Sequence, residues 1–349
     1  MKRTTGPKVQ PHQHPGQAVD FNWNGRKIVV TGAGGFIGSH LVEALAGQGA
    51  DVTAMIHYNA LGSWGNLRFI GVGERDRIRV IAGDIQDSDF MLHALEGADI
   101  VFHLAALIAI PFSYVAPRSY VRTNVEGTLN VLEAVRKGLA GRMVHTSTSE
   151  VYGTALREPI DEEHPLQGQS PYSATKIAAD KLAESYWRSF NTNVVTVRPF
   201  NTYGPRQSAR AFIPTIITQA LTRPEIQLGA LDPQRDMTYV GDTVAGFMAA
   251  GATDGVGGET INLGTGSTAS VGDFADRIVR LMGIDKQIVL DPRRVRPAKS
   301  EVMKLVSDNR KAARLMGWSP KTNMDDGLLA TIKFLSENLD LYRSTDYVV

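Results

Sequence analysis

The chain contains no cysteine, which excludes disulfides, thiolate metal sites and a cysteine nucleophile. It also lacks a charge excess. With 37 basic and 36 acidic residues the formal net charge is +1, so no strong field recommends a nucleic acid or an anionic membrane as partner. No run of ~18 apolar residues is present to read as a membrane helix, and no internal repeat is visible. The opening 24 residues, "MKRTTGPKVQPHQHPGQAVDFNWN", lack the apolar core of a secretory signal. They read as a disordered leader on a cytoplasmic protein. His12 and His14, isolated in that leader, read as solvated side chains, so no metal is expected. What remains is ordinary for a soluble globular protein: 349 residues, 43% hydrophobic and 21% charged. That length suits one large domain or one domain with a lobed extension.

From Arg26 onward, short β-branched runs alternate with helical periods. "KIVV" (27–30), "DVTAMI" (51–56), "IRVIAGD" (78–84), "ADIVFHLAA" (98–106), "RMVHTSTS" (142–149) and "NVVTVRPFN" (193–201) read as strands. Helices are expected near 36–48, 88–96, 119–137 and 172–190. Parallel strands need crossovers, so the alternation implies an α/β fold with a doubly wound parallel (Rossmann) sheet. After Asn201 short elements are separated by Gly and Pro, with a final helix near 325–338. The expected organisation is a leader over 1–24, a mainly dinucleotide-binding domain over 25–201, and a smaller α/β substrate lobe over 202–349 that returns some elements to the main sheet.

"TGAGGFIGSH" joins the first strand to the first helix, with Gly32, Gly35 and Gly38 spaced GxxGxxG. Glycines there let backbone approach a pyrophosphate at a helix N-terminus, so Gly32, Gly35, Phe36, Ile37 and Gly38 are candidate cofactor contacts. A carboxylate at the end of the second strand would hold the ribose 2′-OH of NAD. His57 stands there instead, and no arginine is present to claim an NADP phosphate. A nicotinamide dinucleotide is therefore expected as a class: NAD, with NADP left open. Asp84 and Ile85, ending the third strand, are placed to flank the adenine, although Asp84 also suits a helix cap.

"SPYSATKIAADK" puts Tyr172 and Lys176 on one helix face. A cation beside a phenol favours phenolate and is expected to lower its pKa, which suits removal of an alcohol proton during hydride transfer.

On these motifs, together with "GDI", "VFHLAAL", "TNVEGTLNVLEA", "STSEVYG", "RPFNTYGPRQ", "RDMTYVGD" and "SDNRKAARLMGWSP", the chain resembles the extended short-chain dehydrogenase/reductases, in the NAD-dependent nucleotide-sugar epimerase/dehydratase group. "NALGSWGNL", "LAALIAIPFSYVAP", "PLQGQSPYSATK" and "ARAFIPTIITQAL" look like the LegB-type sugar-nucleotide 4,6-dehydratases. The resemblance implies that Thr148, Tyr172 and Lys176 act at C4 of the sugar. It implies that Leu104, Ala105, Ala106, Asn124, Thr146 and Pro199 border the cofactor, as Ser147 would. Asn201, Arg235 and Arg296 are implied to hold the diphosphate, and Arg210 to lie near the nucleotide base. It further implies a homodimer built as a four-helix bundle from the helices near 119–137 and 172–190. A loop near 58–75 is expected to be Ω-like and to close over the cofactor.

Glu150 discriminates within the group. Simple 4-epimerases usually carry a small or apolar residue there, whereas a dehydratase needs a base for the C5 proton while the C6 hydroxyl leaves. The dTDP-glucose enzymes place an aspartate between Thr and Glu; here Ser149 stands, as in the GDP-mannose enzymes. The expected function is a nucleotide-sugar 4,6-dehydratase acting on UDP- or GDP-N-acetylglucosamine. The alternatives are a UDP-glucuronate decarboxylase, a 4-epimerase and, from a different class, a non-catalytic dinucleotide sensor.

Overall fold

The computed structural model describes residues 21–295, 297 and 299–342. Six apolar runs form strands: β1 (Lys27–Thr31), β2 (Asp51–Ile56), β3 (Ile78–Ala82), β4 (Ala98–His103), β5 (Ala140–Thr146) and β6 (Val194–Pro199). A further strand, Thr260–Leu263, pairs with β6 at the sheet edge. Counted from that edge, the order is Thr260–Leu263, β6, β5, β4, β1, β2, β3, with every pairing parallel. The chain reverses its direction of winding between β1 and β4, and such a switch point opens a crevice at the carboxyl ends of both strands.

Strand periodicity divides the core into two layers. Ile28 and Val30 join Leu41, Val42, Phe102, Val244 and Phe247 on one face. Val29 joins Met91, Val101, Leu132, Met143 and Ala183 on the other. Helices Phe36–Gly47 and Val240–Ala252 therefore cover the first face, and Ser88–Ala94, Gly127–Arg136 and Pro171–Phe190 the second. The first 20 residues of the expected leader lie outside the described residues. Trp23, expected in that leader, is instead 4% exposed and packs 6.2 Å from Phe102, ring centre to ring centre. Burying the indole contributes to holding that segment on the sheet.

The continuous helix expected near 119–137 is a composite. Pro117–Tyr120 leads into a π-helical stretch, Val121–Glu126, and then into Gly127–Arg136. Such a stretch is a common device for turning one side chain inward at a functional site, and Asn124 is 1% exposed. The expected loop near 58–75 also differs. It contains a 3-10 turn at Gly65–Phe69 and a short helix at Val72–Arg75, with Leu67 and Ile70 buried.

Beyond β6, three two-stranded sheets pair Asn201–Tyr203 with Met237–Tyr239, Gln234–Arg235 with Ala269–Ser270, and Ile226–Leu228 with Ile288–Leu290. Helices Phe212–Thr222, Val271–Met282 and Met324–Glu337 enclose their own core of Ile213, Ile217, Phe274, Ile278 and Leu328.

Candidate active site

The crevice begins at Gly32. Its φ is +69°, and a Cβ there would stand 2.7 Å from the Ala105 nitrogen, so the loops after β1 and β4 touch through backbone alone. A Cβ on Gly38 would collide with the Gly32 carbonyl. The helix N-cap is Gly35, with no side-chain cap and no acidic residue in the first turn. The N–H groups of Phe36, Ile37 and Gly38 have no intrahelical acceptor at this end, which suits a diphosphate.

A buried relay fixes the β4 loop. The Ala105 N–H donates to Thr31 Oγ1 at 3.1 Å, and Thr31 Oγ1 lies 2.9 Å from His103 Nδ1. On the other side of the ring, His103 Nε2 lies 3.1 Å from Thr128 Oγ1, which donates to the Asn124 carbonyl at 2.7 Å. Because the Thr128 proton is committed to that carbonyl, Nε2 must carry the imidazole proton and Nδ1 accepts from Thr31. Burial, assisted by His145 and Lys176, holds the His103 pKa well below its ordinary value, so the ring is neutral. Asn124 clamps the same loop. Its Oδ1 accepts from the Leu107 N–H at 2.9 Å, while Nδ2 donates to the Leu107 carbonyl and to Thr175 Oγ1 at 3.0 and 3.1 Å. Both donor protons of Asn124 are thereby used in holding the loop after β4 to the helix that carries Tyr172 and Lys176.

His57 lies exposed just past β2. Asp84 does not cap a helix; its Oδ1 accepts from the Gln86 N–H at 2.9 Å, and the cap is Asp87. Ile85 is 4% exposed and its carbonyl accepts from Asn130 Nδ2 at 2.9 Å. The loop after β2 rests on the glycine turn, where the Asn66 N–H donates to the Gly34 carbonyl at 2.9 Å.

Thr148 ends the run after β5 and caps a 3-10 turn, Ser149–Tyr152, accepting from the Glu150 N–H at 3.2 Å. Ser149 is buried and Glu150 half-buried in that turn. The helix Pro171–Phe190 starts from a capping box of Ser170 and Ser173 with Pro171 at its first position. Its first turns bring Tyr172, 7% exposed, and Lys176, 4% exposed, beneath the strand ends. Tyr172 hydrogen-bonds Thr148, and Lys176 Nζ donates to the Thr146 carbonyl at 2.5 Å. The net shift of the phenol pKa is upward, contrary to expectation. Burial raises Tyr172 above its ordinary value, the negative charges of Glu150 and Asp180 add to this, and the Thr148 hydrogen bond only partly offsets it. Burial also brings Lys176 down to about 8, against a smaller upward pull from Asp180.

Two buried polar atoms at this crevice, Thr146 Oγ1 and Asn201 Oδ1, have no partner within the protein. Buried polar groups are normally paired, so these orphans, the bare glycine turn and the uncapped helix end together fit a dinucleotide and a second polar ligand. Ser147, expected beside the cofactor, turns away: its Oγ donates to Asp180 at 2.7 Å. Pro199 is buried at the end of β6. Burial raises the pKa of Tyr120, whose ring centre is 6.3 Å from that of Tyr172, and the exposed Arg210 is near enough to offset part of that rise. Arg235 is 6% exposed and pairs with Glu301 at 2.8 Å, so its guanidinium already meets a carboxylate. Arg296 lies outside the described residues.

Sequence reasoning missed the polar cluster behind this site. Asp180, 4% exposed, accepts from His145 Nε2 at 3.1 Å, Ser147 Oγ at 2.7 Å and Arg198 Nε at 3.0 Å. Arg198 Nη1 continues to the Tyr152 hydroxyl at 2.9 Å, which donates to Asn262 Oδ1 at 2.7 Å. A carboxylate at Lys176 plus four, on the buried face of the same helix, was the available signal.

The family model described as GDP-mannose 4,6 dehydratase matches residues 29–331. A UDP-glucose 4-epimerase of Mycolicibacterium smegmatis is 32% identical over 88% of this chain and 98% of its own length. A dTDP-glucose 4,6-dehydratase of Streptomyces niveus is 32% identical over 89% of this chain and 93% of its own. The crystal structure of the dTDP-glucose 4,6-dehydratase DesIV of Streptomyces venezuelae, with NAD bound, superposes with a TM-score of 0.82 at 30% identity, covering 91% of this chain and 99% of the other. Relatives of both named reactions thus match at the same identity, and the choice between them falls to individual residues.

Proposed function

The chain belongs to the GDP-mannose 4,6-dehydratase family of NAD-dependent nucleotide-sugar dehydratases and epimerases, and from that premise we propose that it is a nucleotide-sugar 4,6-dehydratase. Its substrate on this reading is UDP- or GDP-N-acetylglucosamine, its product the 4-keto-6-deoxy sugar, and its cofactor NAD. The observation that carries the reading is Glu150: a half-buried carboxylate in the turn capped by Thr148, close enough to raise the pKa of Tyr172. An epimerase leaves that group without a task.

The nicotinamide, when bound, supplies reversible hydride exchange with the sugar. Gly32, Gly35 and the N–H groups of Phe36, Ile37 and Gly38 would hold the cofactor diphosphate, with Asp84 and Ile85 beside the adenine. Thr148 and Tyr172 hold the C4 hydroxyl, and Tyr172 Oη takes its proton as C4 is oxidised. Lys176 supplies positive charge beside the resulting phenolate, where burial alone raises the phenol pKa. The C4 ketone acidifies C5–H. Glu150 removes that proton and delivers it, directly or through Ser149, to the departing C6 hydroxyl, so water leaves. Solvent recharges Glu150 with a proton, which it returns to C5 as the hydride taken from C4 reduces C6; the proton held by Tyr172 is released to solvent, and no external reductant is consumed. Asn201, Arg235 and Arg296 would hold the sugar diphosphate, and Arg210 would lie toward the base. For Arg235 this requires exchanging the Glu301 carboxylate for phosphate oxygens, which its planar fork suits equally well.

A substrate panel tests the proposal: UDP- and GDP-N-acetylglucosamine, dTDP-glucose and UDP-glucuronate incubated in heavy water, with products read by mass and NMR. Loss of water with deuterium at C5 is expected. Carbon dioxide from UDP-glucuronate identifies a decarboxylase, inversion at C4 an epimerase, and no turnover of any substrate a sensor. The Glu150→Gln variant should retain NAD and lose elimination by about 10²–10⁴-fold, the usual worth of a positioned acid–base group. Full turnover by that variant removes Glu150 from the mechanism.

A further inference from the structure

We infer that Asp180 is the positioning residue for Lys176, holding its ammonium in place through charge and through the Thr146–Ser147 peptide that Lys176 bonds. The inference rests on the reading of Tyr172 and Lys176 given above.

Three observations carry it. First, Asp180 lies one helical turn beyond Lys176 on the buried face, and the two are each 4% exposed. Second, Asp180 accepts the Ser147 hydroxyl at 2.7 Å, while the Ser147 N–H donates to the Val197 carbonyl at 2.7 Å. These bonds anchor the peptide whose carbonyl, on Thr146, receives Lys176 Nζ at 2.5 Å. Third, the groups that face Lys176 from the neighbouring strands are neutral rings or a cation already engaged by Asp180. On its own helix it meets Tyr172 and Asp180; from β4 and β5 the neutral rings of His103 and His145 face it; Arg198, on β6, is held against Asp180 at 2.9 Å. Asp180 pulls the lysine toward its charged form, and Glu150 raises the pKa of Tyr172.

The carboxylate can serve because it stays ionised. Burial opposes this, but Arg198, His145 and Ser147 bring its pKa down to about 2. His145 is neutral, donating through Nε2, since a carboxylate only accepts. Arg198 is thus both support and rival: it keeps Asp180 charged and spends part of that charge. The Tyr152 hydroxyl and Asn262 hold the guanidinium in place from the far side.

Two substitutions with opposite signs test the inference. Asp180→Asn keeps an acceptor for Ser147 but removes the charge. Arg198→Gln removes the rival cation and leaves the carboxylate. The readouts are the alkaline limb of the kcat–pH profile and a direct titration of Lys176 by NMR of ε-13C-lysine, on full-length protein with NAD present, assigned with Lys176→Met. The Lys176 titration and the alkaline limb should move down by about one pH unit in Asp180→Asn and up in Arg198→Gln, the size of shift a nearby unit charge produces. Loss of packing alone would shift both variants the same way or neither, and that result overturns the inference. If one variant fails to fold, the sign of the other still decides. The NMR titration needs no sugar substrate, so unmoved lysine refutes the role of Asp180. A lysine that moves as expected, in a protein that turns over no nucleotide sugar, refutes the functional reading instead.

Discussion

Lys176 is costly to the fold at neutral pH, and the cost has a sign. Its folded pKa is about 8 against an ordinary 10.5, because burial penalises the ammonium. Below pH 8 both folded and unfolded chains hold the proton, and the full penalty stands. Between about 8 and 10.5 the unfolded chain holds more protons than the native one, so stability from this residue rises with pH. Lys176→Met should therefore raise Tm by a few degrees at pH 7, lose that gain by pH ~10.5, and abolish turnover; differential scanning calorimetry across pH checks it. A lowered Tm at pH 7 would mean that the bond to the Thr146 carbonyl outweighs desolvation. Tyr172 and Lys176 were legible in the sequence because one helix carries both at i and i+4. The direction of the tyrosine shift was not legible, since it depends on how deeply β5 and the Ser149–Tyr152 turn bury the ring. Asp180 meets Arg198 across 18 residues and Tyr152 meets Asn262 across 110, separations that no local pattern reports.

The helix crossing behind the cofactor loop shows how an irregular element serves a site. Its π-helical stretch turns Asn124 inward, where the side chain ties the Leu107 peptide and Thr175 together. Asn124→Ala leaves a buried peptide N–H and C=O without partners, each worth roughly 1–3 kcal/mol. NAD affinity should fall about 10–100-fold, measured by calorimetric titration, with little change in sheet content by circular dichroism. Unchanged affinity would show that the loop is held by the Thr31–His103–Thr128 relay alone. Sequence periodicity suggested an uninterrupted helix here because one widened turn hardly disturbs a 3.6-residue pattern. The glycine turn was easier, since Gly32 and Gly38 are dictated by backbone contact rather than by distant side chains. In the smaller lobe the strands are two or three residues long, too short to show alternation, and only its composition of Gly and Pro was readable.

The sheet order β3, β2, β1, β4, β5, β6 gathers the site from distant parts of the chain. It sets the glycine turn after β1 against the loop after β4, with Thr148 and Glu150 just beyond β5. Six of the seven main strands follow from alternating apolar runs, so this frame was visible before any coordinates. The seventh, Thr260–Leu263, and the Val240–Ala252 helix come back from the far side of the smaller lobe; that return is fixed by packing on β6 and the Phe36–Gly47 helix. Among the described residues no helix is long and apolar enough to cross a membrane, and no group of acidic, histidine or cysteine side chains is arranged to hold a metal. On the proposed reading, Thr148, Glu150, Tyr172, Lys176 and the cofactor carry the chemistry. The most direct measurement follows a nucleotide sugar deuterated at C4 through one turnover with NAD in ordinary water. The account predicts a product lighter by one water that carries the deuterium in its C6 methyl group. A product of unchanged mass, inverted at C4 and still deuterated there, would contradict it.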